Sequence, residues 1–237
     1  MDNYTETYGN TVADALPAER ASFIRKTYLH LAAAILAFIG LEVVLFSTGV
    51  AQNIAVTLFS IGRWSWFLVL GLFMGVAFLA NWWANSQTSK AMQYLGLGLY
   101  IVAEAVIFIP LLFIVANFGG GGETILKAGV VSLGLFLGLT AVVFLTRTDF
   151  SFLGPILAIG GFVALGFIAA SIMFPFSLGS IFAFVMVAFA GSAILYETSN
   201  VMRHYHPTQH VAASLTLFAS IALLFWYILT IFNSSDD

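Results

Sequence analysis

The chain has 237 residues, 61% of them hydrophobic and only 8% charged, with a net charge of −3. Eight basic and 11 acidic side chains cannot cover a soluble surface of this size. Soluble domains, disordered chains and nucleic-acid binders are therefore excluded, and most of the surface must face lipid. The absence of cysteine removes disulfides, thiolate metal sites and cysteine nucleophiles.

Residues 1–22 are polar and of mixed charge, with Asp2, Glu6, Asp14, Glu19 and Arg20. They lack the basic start and apolar run of a signal peptide. They read as a flexible tail or a short surface helix, ahead of a membrane domain at 23–237. Apolar segments follow at 27–48, 64–84, 91–117, 125–146, 152–173, 177–198 and 210–232. Each can cross about 30 Å at 1.5 Å per residue. Their apolar runs are continuous, as in Phe67–Ala80, and a helix satisfies its own backbone in hydrocarbon. The expected fold is an all-α membrane protein, a bundle of seven transmembrane helices. Connections are expected to be short.

In the second segment Trp64 and Trp66 open the span and Trp82 and Trp83 close it. From Trp64 to Trp83 a helix rises about 28 Å, so these indoles read as interfacial belts. Arg20, Arg25, Lys26, Lys90, Arg147 and Arg203 fall on the side of the N-terminus, and only Arg63 and Lys127 on the other. That count predicts a cytoplasmic N-terminus and an external C-terminus. Gly71/Gly75 and Gly134/Gly138 have the spacing of close internal helix packing. Pro110 is expected to kink the third span, and Gly119–Gly122 reads as a flexible linker.

Charges inside a membrane are costly, so each asks for a reason. Glu42 and Glu104 fall within the first and third spans; a structural carboxyl and a functional one are equally compatible with them. Glu197, near the inner end of the sixth span, is different. It shares a helical face with Ala183, Ala190 and Ala193. The last span offers a stripe of Gln209, Ala213, Thr216, Ser220 and Tyr227 within about 60° of arc. The expectation is a semi-polar seam with Glu197 as its ionisable member, beside Thr216 and Ser220. His204, His206 and His210 read as a solvated loop rather than a metal site, and His30 as interfacial. No catalytic motif is present: HExxH and Gly-x-Ser-x-Gly are absent and no Asp lies mid-span. Neither an enzyme nor a cofactor is expected.

Thr146–Gly154 (TRTDFSFLG), containing Arg147, Asp149 and Phe150, resembles the signature after the fourth span of the Bax inhibitor-1 family. Ala193–Asn200 (AILYETSN), containing Tyr196, Glu197, Thr198 and Asn200, is similar to its second signature, and Arg25–Leu31 (RKTYLHL) to bacterial members. The resemblance implies the Bax inhibitor-1 fold, with six helices around the seventh. Many members carry two acids on the last two helices, implicated in pH-dependent calcium leak. Here Glu197 matches the first and Ser220 stands at the second. The Glu-Thr-Ser-Asn run with Ser220 is instead similar to the bacterial YccA-like subgroup. What that implies is a multi-pass protein of the bacterial inner membrane that modulates the AAA+ protease FtsH. Residues 1–22 would then be the handle for engagement. A pH-sensitive leak of Ca²⁺ or another cation is the alternative.

Overall fold

The computed structural model describes residues 11–235 except 63, 87, 88 and 175. Asp2 and Glu6 of the expected tail, and Arg63 of the charge count, lie outside the described residues. Eight helices follow one another: α1 (Pro17–Ser47), α2 (Val50–Ile61), α3 (Ser65–Ala84), α4 (Lys90–Phe118), α5 (Gly121–Thr146), α6 (Leu153–Met173), α7 (Gly179–Arg203) and α8 (His210–Ser235). Among the described residues all except α2 are long and apolar enough to cross a membrane. The protein is an all-α, seven-span membrane protein. The end of the bundle where α1 begins is called here the tail end, and the opposite end the far end.

α1 starts ten residues before the expected span. Pro17 occupies its first turn with Glu19 beside it; a proline at the first helical position and an acid near the N-terminus both favour initiation. At about 46 Å, a helix of 31 residues exceeds the hydrocarbon thickness of about 30 Å. The polar segment is also not free over its full length. Val12 is fully buried, and the Val12 and Ala13 amides donate to the Tyr205 and Arg203 carbonyls at 2.9 and 3.3 Å. Thr11 Oγ1 donates to Asp14 Oδ2 at 2.7 Å, closing the turn. Residues 11–14 thus dock on the α7–α8 loop.

α2 is an addition to the expected elements; its 12 residues are too few to span. Gly49, in the left-handed region at φ 76°, turns the chain out of α1, a conformation costly for other residues. Ala51 and Ala55 bury against Ile109, while Val56, Phe59 and Ile61 stay exposed. α2 is thus a short helix packed on the far half of the bundle.

α8 is the axis. It packs on α1, α3, α4, α5 and α7, whereas α6 rests mainly on α7. Over half of the α8 span is buried, against 6% for α6. A helix that is hydrophobic almost all round belongs in such a centre. Phe38, Tyr100, Phe108 and Phe218 interlock around it through edge-on ring contacts.

Two packing expectations fail. Gly71, Gly75, Gly134 and Gly138 have open space where a Cβ would stand, so these pairs do not mediate close approach. Gly96 does: a Cβ there would lie 2.5 Å from the Ala80 carbonyl oxygen and 2.6 Å from the Ala84 nitrogen, which locks α3 onto α4. Nor is Gly119–Gly122 a linker. α4 ends at Phe118 and α5 begins at Gly121, leaving two residues between them. The Glu123–Lys127 ion pair at 2.8 Å spans the first turn of α5, and Gly119 lies so close to the Asn233 side chain of α8 that a Cβ would clash. α4 continues through Pro110, and Trp64 and Trp82 are well exposed at opposite ends of α3.

Candidate functional site

Glu197 lies on the tail-end half of α7 and is half-buried. It lines a cavity of about 680 Å³ together with Thr216 and Ser220 of α8, Tyr100 of α4, Asn81 of α3 and Asn85 just past its end. The three seam residues named from the sequence therefore meet in one place. Asn200, one turn on, lies beside the Glu197 carboxyl. The Ser220 hydroxyl donates to the Thr216 carbonyl at 3.0 Å, which satisfies it within its own helix.

Tyr205, in the α7–α8 loop, reaches Glu197 and Thr216 from the tail end. Its hydroxyl lies 3.0 Å from Thr216 Oγ1 and 3.5 Å from Glu197 Oε2. Burial, and then the charge of Glu197, hold this phenol above the usual tyrosine range, so it remains a hydrogen-bond donor. The Tyr205 carbonyl accepts the Val12 amide and its ring packs on Phe23. One loop residue thus touches the tail, α1 and the seam.

Glu104 occupies a second cavity. Its side chain is 6% exposed and pairs with Tyr100, one turn earlier on α4. The cavity, about 860 Å³, runs toward the far end between Phe73, Ile168, Phe182 and Trp226. The two cavities share Tyr100, Ala219 and Ser220, which form the wall between them. Glu42 lines neither. It is 7% exposed, and neither carboxyl oxygen has a hydrogen-bond partner among the described residues.

The two sequence signatures form one joint. Arg147 ends α5 at φ 53°, and Arg203 Nη2 donates to its carbonyl. Ser199 Oγ accepts the Phe150 amide at 3.0 Å, and Asp149 Oδ1 accepts the Ser151 amide at 2.9 Å. That bond, chiefly, holds the Asp149 carboxyl below the usual range. Tyr196 packs over Gly154, where a Cβ would come within 3.1 Å of its ring. Thr198 is fully buried beside Tyr28 and Thr140. The arrangement can fix the α5–α6 loop against α7 and so set the position of Glu197.

The histidines turn to different partners. His206 Nδ1 lies 2.8 Å from Thr208 Oγ1, His204 is exposed, and His210 turns to His30, with ring centres 5.0 Å apart. Among the described residues no three His, Asp or Glu side chains converge on a common point.

The sequence reading does not reach Tyr205, Asn81 and Asn85. The two asparagines lie four residues apart, one helical turn, and that spacing is the available signal. Nothing local marks Tyr205.

Residues 20–237 match the family described as inhibitor of apoptosis-promoting Bax1. The chain is 28% identical to Protein LIFEGUARD 4 of Arabidopsis thaliana, over 93% of its own length and 87% of that protein's. It is also 28% identical to Bax inhibitor 1 of Schizosaccharomyces pombe, over 98% and 82% of the two chains. With the Escherichia coli protein named modulator of FtsH protease YccA it shares 31% identity over 68% and 73%.

Proposed function

Since the chain belongs to the Bax inhibitor-1 family, we propose that it is a non-enzymatic partner and regulator of an FtsH-type membrane AAA+ protease. It sits in the cytoplasmic membrane of a bacterium with its N-terminus inside and its C-terminus outside. The name of the E. coli relative supports this. The structural observation that carries it is the docking of Val12 on the α7–α8 loop. Residues 1–10 precede a point anchored to the bundle. A protease pulling on them would load Tyr205 and the Glu197 seam directly, and the buried Val12 and the long α1 would resist extraction.

Removing residues 2–10 leaves Val12 and α1 in place. It should abolish co-purification with the protease and change the turnover of its membrane substrates, with thermal stability unaltered. Unchanged turnover and retained binding would end this reading. A periplasm-active reporter fused after Asp237 should be active, whereas a reporter active only in the cytoplasm would overturn the orientation.

A second reading, a pH-sensitive leak for Ca²⁺ or protons, is favoured by one observation: the two cavities meet at Tyr100 and Ser220. Calcium calls for about six to eight oxygens, and Glu197, Thr216 and Ser220 supply few. The unmodified protein in liposomes should pass no Ca²⁺. Ser220→Asp, which places a second carboxyl in the shared wall, should produce acid-sensitive flux if a leak is latent. Strong flux in the unmodified protein, lost in Glu197→Gln, would make the leak the primary function.

A further inference from the structure

Four basic side chains from three helices gather at the tail end, away from the Glu197 cavity. Lys26 and His30 stand one turn apart on α1; Lys90 opens α4, with Tyr94 one turn on; His210 opens α8. His30 fixes the geometry. A backbone carbonyl only accepts, so His30 Nδ1 must donate to the Lys26 carbonyl at 2.7 Å. In the neutral ring Nε2 then accepts from the Tyr94 hydroxyl at 3.0 Å. His210 stacks at a tilt against the same imidazole. Besides burial, the charges that act on His210 are those of Lys26 and Lys90 and, in its protonated form, of His30, so the four side chains share one electrostatic neighbourhood and every charge in it is positive.

No ion pair among the described residues balances that charge: neither Lys26 nor Lys90 makes one, and both are exposed. Two helix N-termini, of α4 and α8, add backbone N–H groups with partial positive charge. Beside the cluster the surface is apolar and open: Leu29, next to His30, is 62% exposed, and Leu95, next to Tyr94, is 59% exposed. Cations at the mouth of an exposed apolar surface match an amphiphile with an anionic head, whose acyl chains would lie along the apolar part. A free anion would need only the cations.

We propose that Lys26, Lys90 and His210, held in register by the His30–Tyr94 pair, bind the phosphate of an anionic phospholipid in the adjoining leaflet. The lysines supply charge and His210 supplies an N–H donor. The inference does not depend on the protease reading, because it needs neither the tail nor the seam.

The test is native mass spectrometry of the full-length protein in detergent, titrated with phosphatidylglycerol and, separately, phosphatidylcholine. Phosphatidylglycerol should be retained and phosphatidylcholine lost. Lys26→Gln/Lys90→Gln should weaken retention about tenfold or more, and Lys90→Gln alone less, since each basic residue near an anionic surface contributes separately. Lys127→Gln, which removes the same charge at the far end, should change nothing. Thermal unfolding in detergent without added lipid should match the wild type for all variants. Equal retention of both lipids would overturn the site. So would an equal effect of Lys127→Gln, or no effect of the double change. Displacement of the lipid by millimolar inorganic phosphate would reassign the cluster to a free anion and defeat the lipid proposal.

Discussion

The two cavities put the same chemical group in opposite settings. Glu197 faces Asn81, Asn85 and Thr216; Glu104 faces Phe73, Phe108 and Trp226, with Tyr100 as its hydrogen-bonding neighbour. The difference comes largely from one helix. α3 and its C-cap line both spaces, presenting Asn81 and Asn85 to the first and Trp66, Val69, Leu70 and Phe73 to the second. An acid among amides and hydroxyls can be hydrated and served by several donors, whereas an acid among rings must find a partner on its own helix. Tyr100, wedged by ring contacts with Phe73 and Phe218, keeps the two settings apart. The two linings predict a wetter half and a drier half of one bundle, set largely by the change of composition along α3.

The contrast breaks most completely if α3 leaves α4. Gly96→Val would drive a branched side chain into the Ala80 carbonyl and the Ala84 amide, and these are backbone atoms that cannot rotate away. Overpacking of this kind costs about 1–3 kcal/mol, occasionally more. Thermal unfolding in detergent should show the largest loss among the variants named here, and both cavities should open. Gly75→Ala on the same helix has open space and should behave as wild type. If the two glycines proved equally sensitive, the α3–α4 contact would be misplaced.

The wet and dry assignment can be sharpened with thiols, because the chain has no cysteine of its own. Asn81→Cys should react with a charged, membrane-impermeant maleimide applied from the tail side. Leu70→Cys should react only with a permeant one, at least about tenfold more slowly with the charged reagent, the ratio expected for a barrier difference of 1.4 kcal/mol. Equal rates at both positions would mean that water reaches past Tyr100 and Ser220. That would favour the leak over the protease reading.

Part of this contrast is legible in the amino-acid sequence. The spans follow from uninterrupted apolar runs, and the 3.6-residue period puts Glu197 opposite Thr216 and Ser220, which do share a cavity. What the sequence hides has physical reasons. α2 is apolar, but its 12 residues are too few to register as a span, so a search for spans passes over it. Glycine spacing says that close approach is possible, not which face meets a neighbour. Gly71 and Gly75 fit the pattern and face away, while the lone Gly96 finds Ala80 and Ala84. Glu104 and Tyr100 stand four residues apart, yet only the apolar cavity around them explains why an acid needs that tyrosine. The docking of Val12 joins residues nearly two hundred positions apart along the chain, and nothing local encodes it.

The smallest expected effect concerns the loop tyrosine beside Glu197. Tyr205→Phe removes only the hydroxyl that bridges Thr216 and approaches Glu197, and keeps the ring against Phe23. Near neutral pH the loss should be about 0.5–1.5 kcal/mol, one net hydrogen bond. Its pH dependence identifies the cause. The phenol is held above the ordinary tyrosine value of 10.0, first by burial and then by Glu197. A group whose folded value is raised contributes fully below its unfolded value, and that contribution falls as pH rises toward the folded one. Between pH 7 and 9 the wild type should therefore keep a constant advantage over Tyr205→Phe. Above about pH 10 the unfolded wild-type chain gains by ionising this tyrosine and the variant does not, so the gap should narrow. Parallel unfolding curves at pH 8 and pH 10.5, read as the difference between the two proteins, decide it. A gap that stays constant through pH 10.5 would mean that Tyr205 is solvated.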